Sequence, residues 1–222
     1  MENNLKKRIL TSFVLIFFFS ISLFFNKYLL LFFLFLVILI CYIEFNNLLL
    51  KICENNFLGL LFTRFIIFNY LVFFAYASYQ FYNDYLLLLI VICVFSDTGG
   101  FIVGKSLGGK KLTRISPNKT ISGSIGSFIF SNFPFIYFFY FDQTKLNIGI
   151  IFTNDKFINF FIFSFLSSLL CQLGDLSVSY LKRKANIKDT GKILPGHGGL
   201  LDRIDGIIFV IPFLYLLNLI ML

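Results

Sequence analysis

The sequence predicts an all-α protein, a polytopic transmembrane helical bundle of about seven spans (six to eight) with its N-terminus in the cytoplasm. Three observations predict it. Apolar runs close to the roughly 20 residues that a spanning helix needs recur along nearly the whole chain. Charged residues make up only 14% of the 222 residues, where a soluble domain carries about 25%, and the mean hydropathy is +0.87. Finally, lysine and arginine gather on one side of the alternating runs, as topology requires of cytoplasmic segments.

The elements follow in order. MENNLKKRIL places Lys6, Lys7 and Arg8 ahead of an apolar run. A charged start of this kind also opens signal peptides, but no small-residue cleavage site follows and a second apolar run begins almost at once. The expectation is a retained first helix. Candidate spans are 9–25, 28–45, 58–80, 85–104, 121–141, 157–176 and 206–222. Asn26-Lys27, Asn83-Asp84 and 142–156 serve as external turns. With the N-terminus inside, sixteen basic residues fall on or near the cytoplasmic face: Lys6, Lys7, Arg8, Lys51, Arg64, Lys105, Lys110, Lys111, Arg114, Lys119, Lys182, Arg183, Lys184, Lys188, Lys192 and Arg203. Only three, Lys27, Lys145 and Lys156, fall outside. The chain reads as one integral membrane domain, 1–222. Helices without motifs occupy 9–95 and a catalytic part occupies 96–222.

The net charge of +8 does not point to nucleic acid, because the cations lie between spans, where they set topology and meet anionic headgroups. Cys41, Cys53, Cys93 and Cys171 are scattered and form no CxxC, so they read as small buried hydrophobes.

Chemistry concentrates in Ser179–Asp205, SYLKRKANIKDTGKILPGHGGLLDRID. This polar, glycine-rich stretch lies between membrane-grade runs. It gathers Lys182, Arg183, Lys184, Lys188, Lys192 and Arg203 with Asp189, Asp202, Asp205 and the only histidine, His197. Just upstream, Asp175 and Ser179 are four residues apart and share a face if the helix continues, with Lys182 at i+7. The structural alternative, less favoured, is Asp175 satisfied by a neighbouring helix. Gly196, Gly198 and Gly199 around His197 allow tight turns that present amides to an anion, and His197 could bind phosphate or shuttle a proton; a lone loop histidine is more often simply exposed. Asp202 and Asp205 are i, i+3 neighbours if that turn is helical. Paired carboxylates beside many cations suit a divalent cation that grips phosphate oxygens. The structural alternative is a helix cap by Asp202 with a salt bridge to Arg203.

A second polar segment, SDTGGFIVGKSLGGKKLTRISPNKTISGS, runs from Ser96 to Ser124. Asp97 lies near the end of an apolar span, an expensive place for an acid unless it faces a polar interior. The glycines permit close approach, Lys105, Lys110, Lys111 and Lys119 supply cations, and Ser116-Pro117 is a turn signal. A solvated basic loop with glycine-mediated helix packing is the plain alternative. GxxxxGK[ST] is absent. Several carboxylates, many cations, glycine turns and no activated nucleophile together fit phosphoryl or nucleotidyl transfer, where positioning and charge neutralisation do most of the work.

The pattern Ser179, Lys182-Arg183, Lys188-Asp189, Gly191, His197-Gly198-Gly199, Asp202-Arg203, Ile204, Asp205 resembles the signature of the phosphatidate cytidylyltransferase (CDP-diacylglycerol synthase) family at every position, over 27 residues. Gln172-x-Gly174-Asp175, Ser116-Pro117-x-Lys119-Thr120 and Asp97 extend the likeness to roughly 95–222. Ser122 stands where members often carry Glu or Gln, and Asn118 replaces a frequent basic or small residue. The chain is also shorter than many members.

The resemblance implies a membrane nucleotidyltransferase making CDP-diacylglycerol and pyrophosphate from CTP and phosphatidic acid, in phospholipid biosynthesis. It implies Mg²⁺, with a companion cation such as K⁺ as an option, held by Asp175, Asp202 and Asp205. The implied catalytic set is Asp175, Lys182, Arg183, Lys188, Asp189, His197, Asp202 and Arg203, with Lys119, Ser179, Gly198 and Gly199 binding substrate. It further suggests a homodimer in a bacterial plasma (inner) membrane with a cytoplasmic active site. A CDP-alcohol phosphotransferase is disfavoured because its spaced-aspartate pattern is missing. A polyprenol kinase-like enzyme that uses CTP, and an ion-coupled transporter built on Asp97 and Asp175, remain as rivals.

Overall fold

The computed structural model describes residues 17–23, 26–53, 56–82, 86–141, 156–191, 193–194 and 198–221. Lys6, Lys7, Arg8, most of the 9–25 span, Asn83-Asp84, Lys145 with most of the 142–156 turn, Lys192 and His197 lie outside these. Helices α1 (Lys27–Ile52), α2 (Phe57–Gln80), α3 (Leu86–Leu107), α4 (Ile121–Phe130), α5 (Asn132–Phe141), α6 (Lys156–Lys184), α7 (Leu201–Ile204) and α8 (Ile207–Met221) follow in order. Among the described residues no strand forms; there are only the isolated bridges Lys111–Thr120 and Leu194–Gly198. The fold class is therefore all-α, as expected. Four described helices are long and apolar enough to cross a membrane: Lys27–Ile52, Phe57–Gln80, Leu86–Leu107 and Phe157–Lys184. The chain is an integral membrane protein. The 121–141 run is divided at Ser131, and the last apolar helix has 15 residues.

The chain separates into two compact units, one of 1–82 with 181–204 and the other of 83–180 with 205–222. In the first unit, α1 and α2 form a hairpin. Asn26 caps α1 by accepting from Tyr28 N–H at 3.0 Å, and Asn56 caps α2 by accepting from Gly59 N–H at 2.9 Å. A buried stripe on α1, Leu30, Leu34, Val37, Cys41, Phe45 and Leu48, recurs at helical spacing. Other apolar side chains, among them Phe32, Phe35 and Phe62, point outward, as a helix surrounded by lipid permits. Lys27 sits 4.0 Å over the ring of Tyr79, joining the start of α1 to the end of α2.

The second unit is built on a near-backbone contact of α3 with α4. A Cβ on Gly123 would lie 2.8 Å from the Gly100 carbonyl oxygen and 3.3 Å from Gly104 Cα. Here glycine is what allows the approach. Ser96 and Ser168 hydroxyls meet at 2.8 Å between α3 and α6, and Phe128 stacks on Phe165 at 4.6 Å between α4 and α6. The backbone of Asp205 and Gly206, leading into α8, lies against Gly174 and Cys171 of α6.

Candidate functional site

The second unit holds a cavity of about 550 Å³. Its wall on the α3–α4 side is Asp97, Gly100, Gly104, Lys105, Thr120, Gly123 and Ser124, and α6 closes it with Gln172 and Asp175. The segment between α3 and α4 returns one cation to this cavity. Gly108 and Gly109, with φ of 60° and 108°, turn the chain out of α3 through conformations that side-chain-bearing residues rarely adopt. Leu112 N–H then bonds Lys119 C=O at 2.8 Å, and Ile121 N–H bonds Lys110 C=O at 3.0 Å. The Ser116-Pro117 turn closes as Lys119 N–H reaches Ser116 C=O at 3.1 Å. Thr120 caps α4, accepting from Gly123 N–H at 3.1 Å. Ser122, a departure from the family pattern, donates to the Gly108 carbonyl and so ties the glycine turn to α4.

Lys119 thereby forms an ion pair with Asp175, the two side chains 27% and 29% exposed. The Ser179 hydroxyl donates to Asp175 Oδ1 at 3.2 Å. Helix α6 does continue past Asp175, which the shared-face reading of these two residues required. The Cys171 thiol donates to Asp97 Oδ1 at 3.6 Å, and Ser124 donates to Gln172 Oε1. Asp205 Oδ1 accepts from Gly206 N–H at 2.9 Å.

In the first unit, Lys182 Nζ meets Asp202 Oδ1 at 2.7 Å, the side chains only 15% and 8% exposed. Asp202 Oδ2 accepts Thr190 N–H at 2.9 Å and Gly199 N–H at 3.1 Å, and the Thr190 hydroxyl, whose single proton points to a nearer acceptor at 2.8 Å, lies 3.1 Å from it. Burial raises the Asp202 pKa, but the hydrogen bond from Lys182, the N–H groups of Thr190 and Gly199 and the Lys182 charge outweigh it. The net result holds the carboxyl below the usual carboxylate range. The cation that pairs with Asp202 here, Lys182, lies twenty residues away in the chain. The helical turn ends at Ile204, and Asp205 follows it in the turn that leads to α8. Leu194 and Gly198 exchange backbone bonds of 3.0 and 3.2 Å, with Gly198 at φ 90°. Arg183, Lys188, Asp189 and Arg203 are exposed.

One residue was missed in the sequence. Glu44 of α1 is 1% exposed and bonds three donors of the 190–201 segment. Its signal was available: it is the single acid in the apolar 28–45 run, and an ionisable residue within a span is a functional candidate by default.

Known proteins share much of this sequence. A family model described as "Cytidylyltransferase family" matches residues 49–221, which include every candidate from Asp97 to Asp205. A phosphatidate cytidylyltransferase of Helicobacter pylori is 40% identical over 138 residues, covering 60% of this chain and 48% of that relative. One of Bacillus subtilis is 40% identical over 139 residues (62% and 48%), and one of Rickettsia bellii 43% identical over 143 residues (61% and 58%). The matches thus span about half the length of these curated relatives. With more than half of its own length matched by the family model, the chain belongs to the cytidylyltransferase family.

Proposed function

We propose that the protein transfers the cytidylyl group of CTP to phosphatidic acid, giving CDP-diacylglycerol and pyrophosphate for phospholipid synthesis. The observation that carries this is the 40% identity to relatives named phosphatidate cytidylyltransferase. A phosphate oxygen of phosphatidate bonds to the α-phosphorus of CTP while the bond from that phosphorus to the bridging β-phosphate oxygen breaks. The attacking phosphate is already anionic near neutral pH, so no general base is required. Charge is the main obstacle, since two anions must meet. Lys119, Lys182, Arg183, Lys188 and Arg203 are the groups proposed to neutralise it, and preorganised cations lower such barriers without reorganising.

Mg²⁺ is the proposed cofactor. No group of three or more His, Cys, Asp or Glu gathers among the described residues. Mg²⁺, however, commonly takes one or two carboxylates and fills its octahedron with water and substrate phosphate. Asp97 and Asp175, which line one cavity with Gln172 and Ser124, offer that hard oxygen set. Asp175 is the best-supported ligand, and Asp205 belongs to the same unit. The part assigned to Asp202 rests on the sequence pattern, because its carboxylate is largely filled by the chain's own donors. When bound, the ion would polarise phosphate oxygens and offset developing charge. The cytoplasmic placement of the site in a bacterial inner membrane is proposed from the charge asymmetry, and a homodimer from the family.

The test is purified protein with phosphatidate, Mg²⁺ and CTP labelled at the α- or the γ-phosphorus. The α label is expected in the lipid and the γ label in pyrophosphate. Lipid carrying the γ label, or no lipid product, would overturn the proposal.

A further inference from the structure

Glu44 precedes the family-matched residues and has no part in the chemistry above. Its setting is nonetheless specific. A buried carboxylate on a membrane helix is costly unless hydrogen-bonded. Glu44 Oε1 accepts Leu200 N–H at 3.0 Å. Oε2 accepts Leu201 N–H at 2.9 Å and the Thr190 hydroxyl at 2.8 Å. Leu201 opens α7, whose first N–H groups have no partner within so short a helix. Gly191 and Gly199 pack directly on the carboxylate: a Cβ on Gly199 would fall 2.9 Å from Glu44 Cδ, and one on Gly191 3.0 Å from it. Two glycines of the polar segment are thus explained by the acid they enclose.

The network continues to the charged pair. Thr190, whose hydroxyl reaches Glu44, gives its N–H to Asp202, and Gly199, packed on Glu44, gives its N–H to the same oxygen. Asp202 in turn holds Lys182. We infer that Glu44 is a positioning residue, an anchor on α1 that clamps Thr190, Leu200 and Leu201 and through them sets the Asp202–Lys182 pair for reaction. It acts through Thr190, Leu200 and Leu201, not on substrate.

The experiment compares Glu44→Gln with Leu48→Ala, a cavity on the same buried stripe of α1, in the full chain in detergent. Two readouts are taken: hydrogen exchange at the Thr190, Leu200 and Leu201 amides, and kcat and KM for CTP per folded protein. Gln turns an NH₂ group towards donors. Exchange at these amides is expected to rise about tenfold, equivalent to ~1.4 kcal/mol of local opening. kcat is expected to fall at least tenfold, with KM for CTP moving less than about threefold. Leu48→Ala should lower thermal stability without the local exchange or the kcat loss. Thr190→Val tests the same link from its other end and should lose kcat, and Thr190→Ser should restore it; this pair decides the matter if Glu44→Gln does not fold. Unchanged exchange in Glu44→Gln, an equal kcat loss in Leu48→Ala, or full activity in Thr190→Val would overturn the inference. The activity arm rests on the proposed cytidylyl transfer. If the wild-type chain makes no CDP-diacylglycerol, that reading fails by itself and the exchange arm still decides Glu44.

Discussion

Two aspartate–lysine pairs, one in each unit, have the same chemistry and opposite settings. Lys119–Asp175 lines a cavity and keeps more than a quarter of each side chain exposed, and the Ser179 hydroxyl also donates to its carboxylate. Lys182–Asp202 is nearly closed off, and two backbone N–H groups also hold the carboxylate. An exposed pair contributes about 0–1 kcal/mol and exchanges partners readily. Breaking a buried one leaves an uncompensated charge and costs about 3–5 kcal/mol. The first pair is therefore suited to give up its partner to an incoming ligand, and the second to hold a segment in shape.

The sharpest way to break this contrast is Asp175→Asn. CDP-diacylglycerol formation should fall by about 100-fold or more, as loss of a metal-aligning group does, while the thermal midpoint in detergent moves little. A large stability loss would erase the distinction. Asp202→Asn should instead cost about 3 kcal/mol of stability along with activity, read as a lowered unfolding midpoint. Acid should separate the pairs further. Because the Asp202 pKa is depressed on folding, its contribution is fully present above the unfolded value of about 3.9 and is lost as pH falls through the lower folded value. Protection of the Thr190 amide should stay flat from neutral pH to about 4 and decline below, and Asp202→Asn should remove that decline. Lys119→Gln should raise KM for CTP severalfold with stability changed by less than about 1 kcal/mol. Smallest of all, Lys145→Ala, on the face expected outside, should leave turnover unchanged.

Hydropathy made the helical class plain, and residue spacing brought out the charged segment, because both signals are local. The division of the 121–141 run was not visible in hydropathy. Its cause is polar and stereochemical: Ser131 and Asn132 side chains bond back to the Phe128 carbonyl at 2.9 and 2.7 Å. Pro134, in the first turn of α5, has no N–H to offer the Phe130 carbonyl. The pairing of Asp202 with Lys182 could not be read from sequence, because twenty residues separate them and Arg203 is the adjacent cation. Glu44 was visible as the one acid of its apolar run, but what it binds was hidden for the same reason. Its partners lie about 150 positions away and are mostly backbone, which carries no residue signature.

The bare glycine contact of α3 with α4 has a consequence for how this protein can diversify. Part of the α3–α4 wall of its cavity is main chain, at Gly100, Gly104 and Gly123, and that strip offers no side chains to exchange. Any residue larger than glycine there would wedge the helices apart before it reshaped the space. Variation in what the cavity admits must then be written around that strip, at Asp97, Lys105 and Ser124, at Gln172 on α6, and in the length of the turn that delivers Lys119.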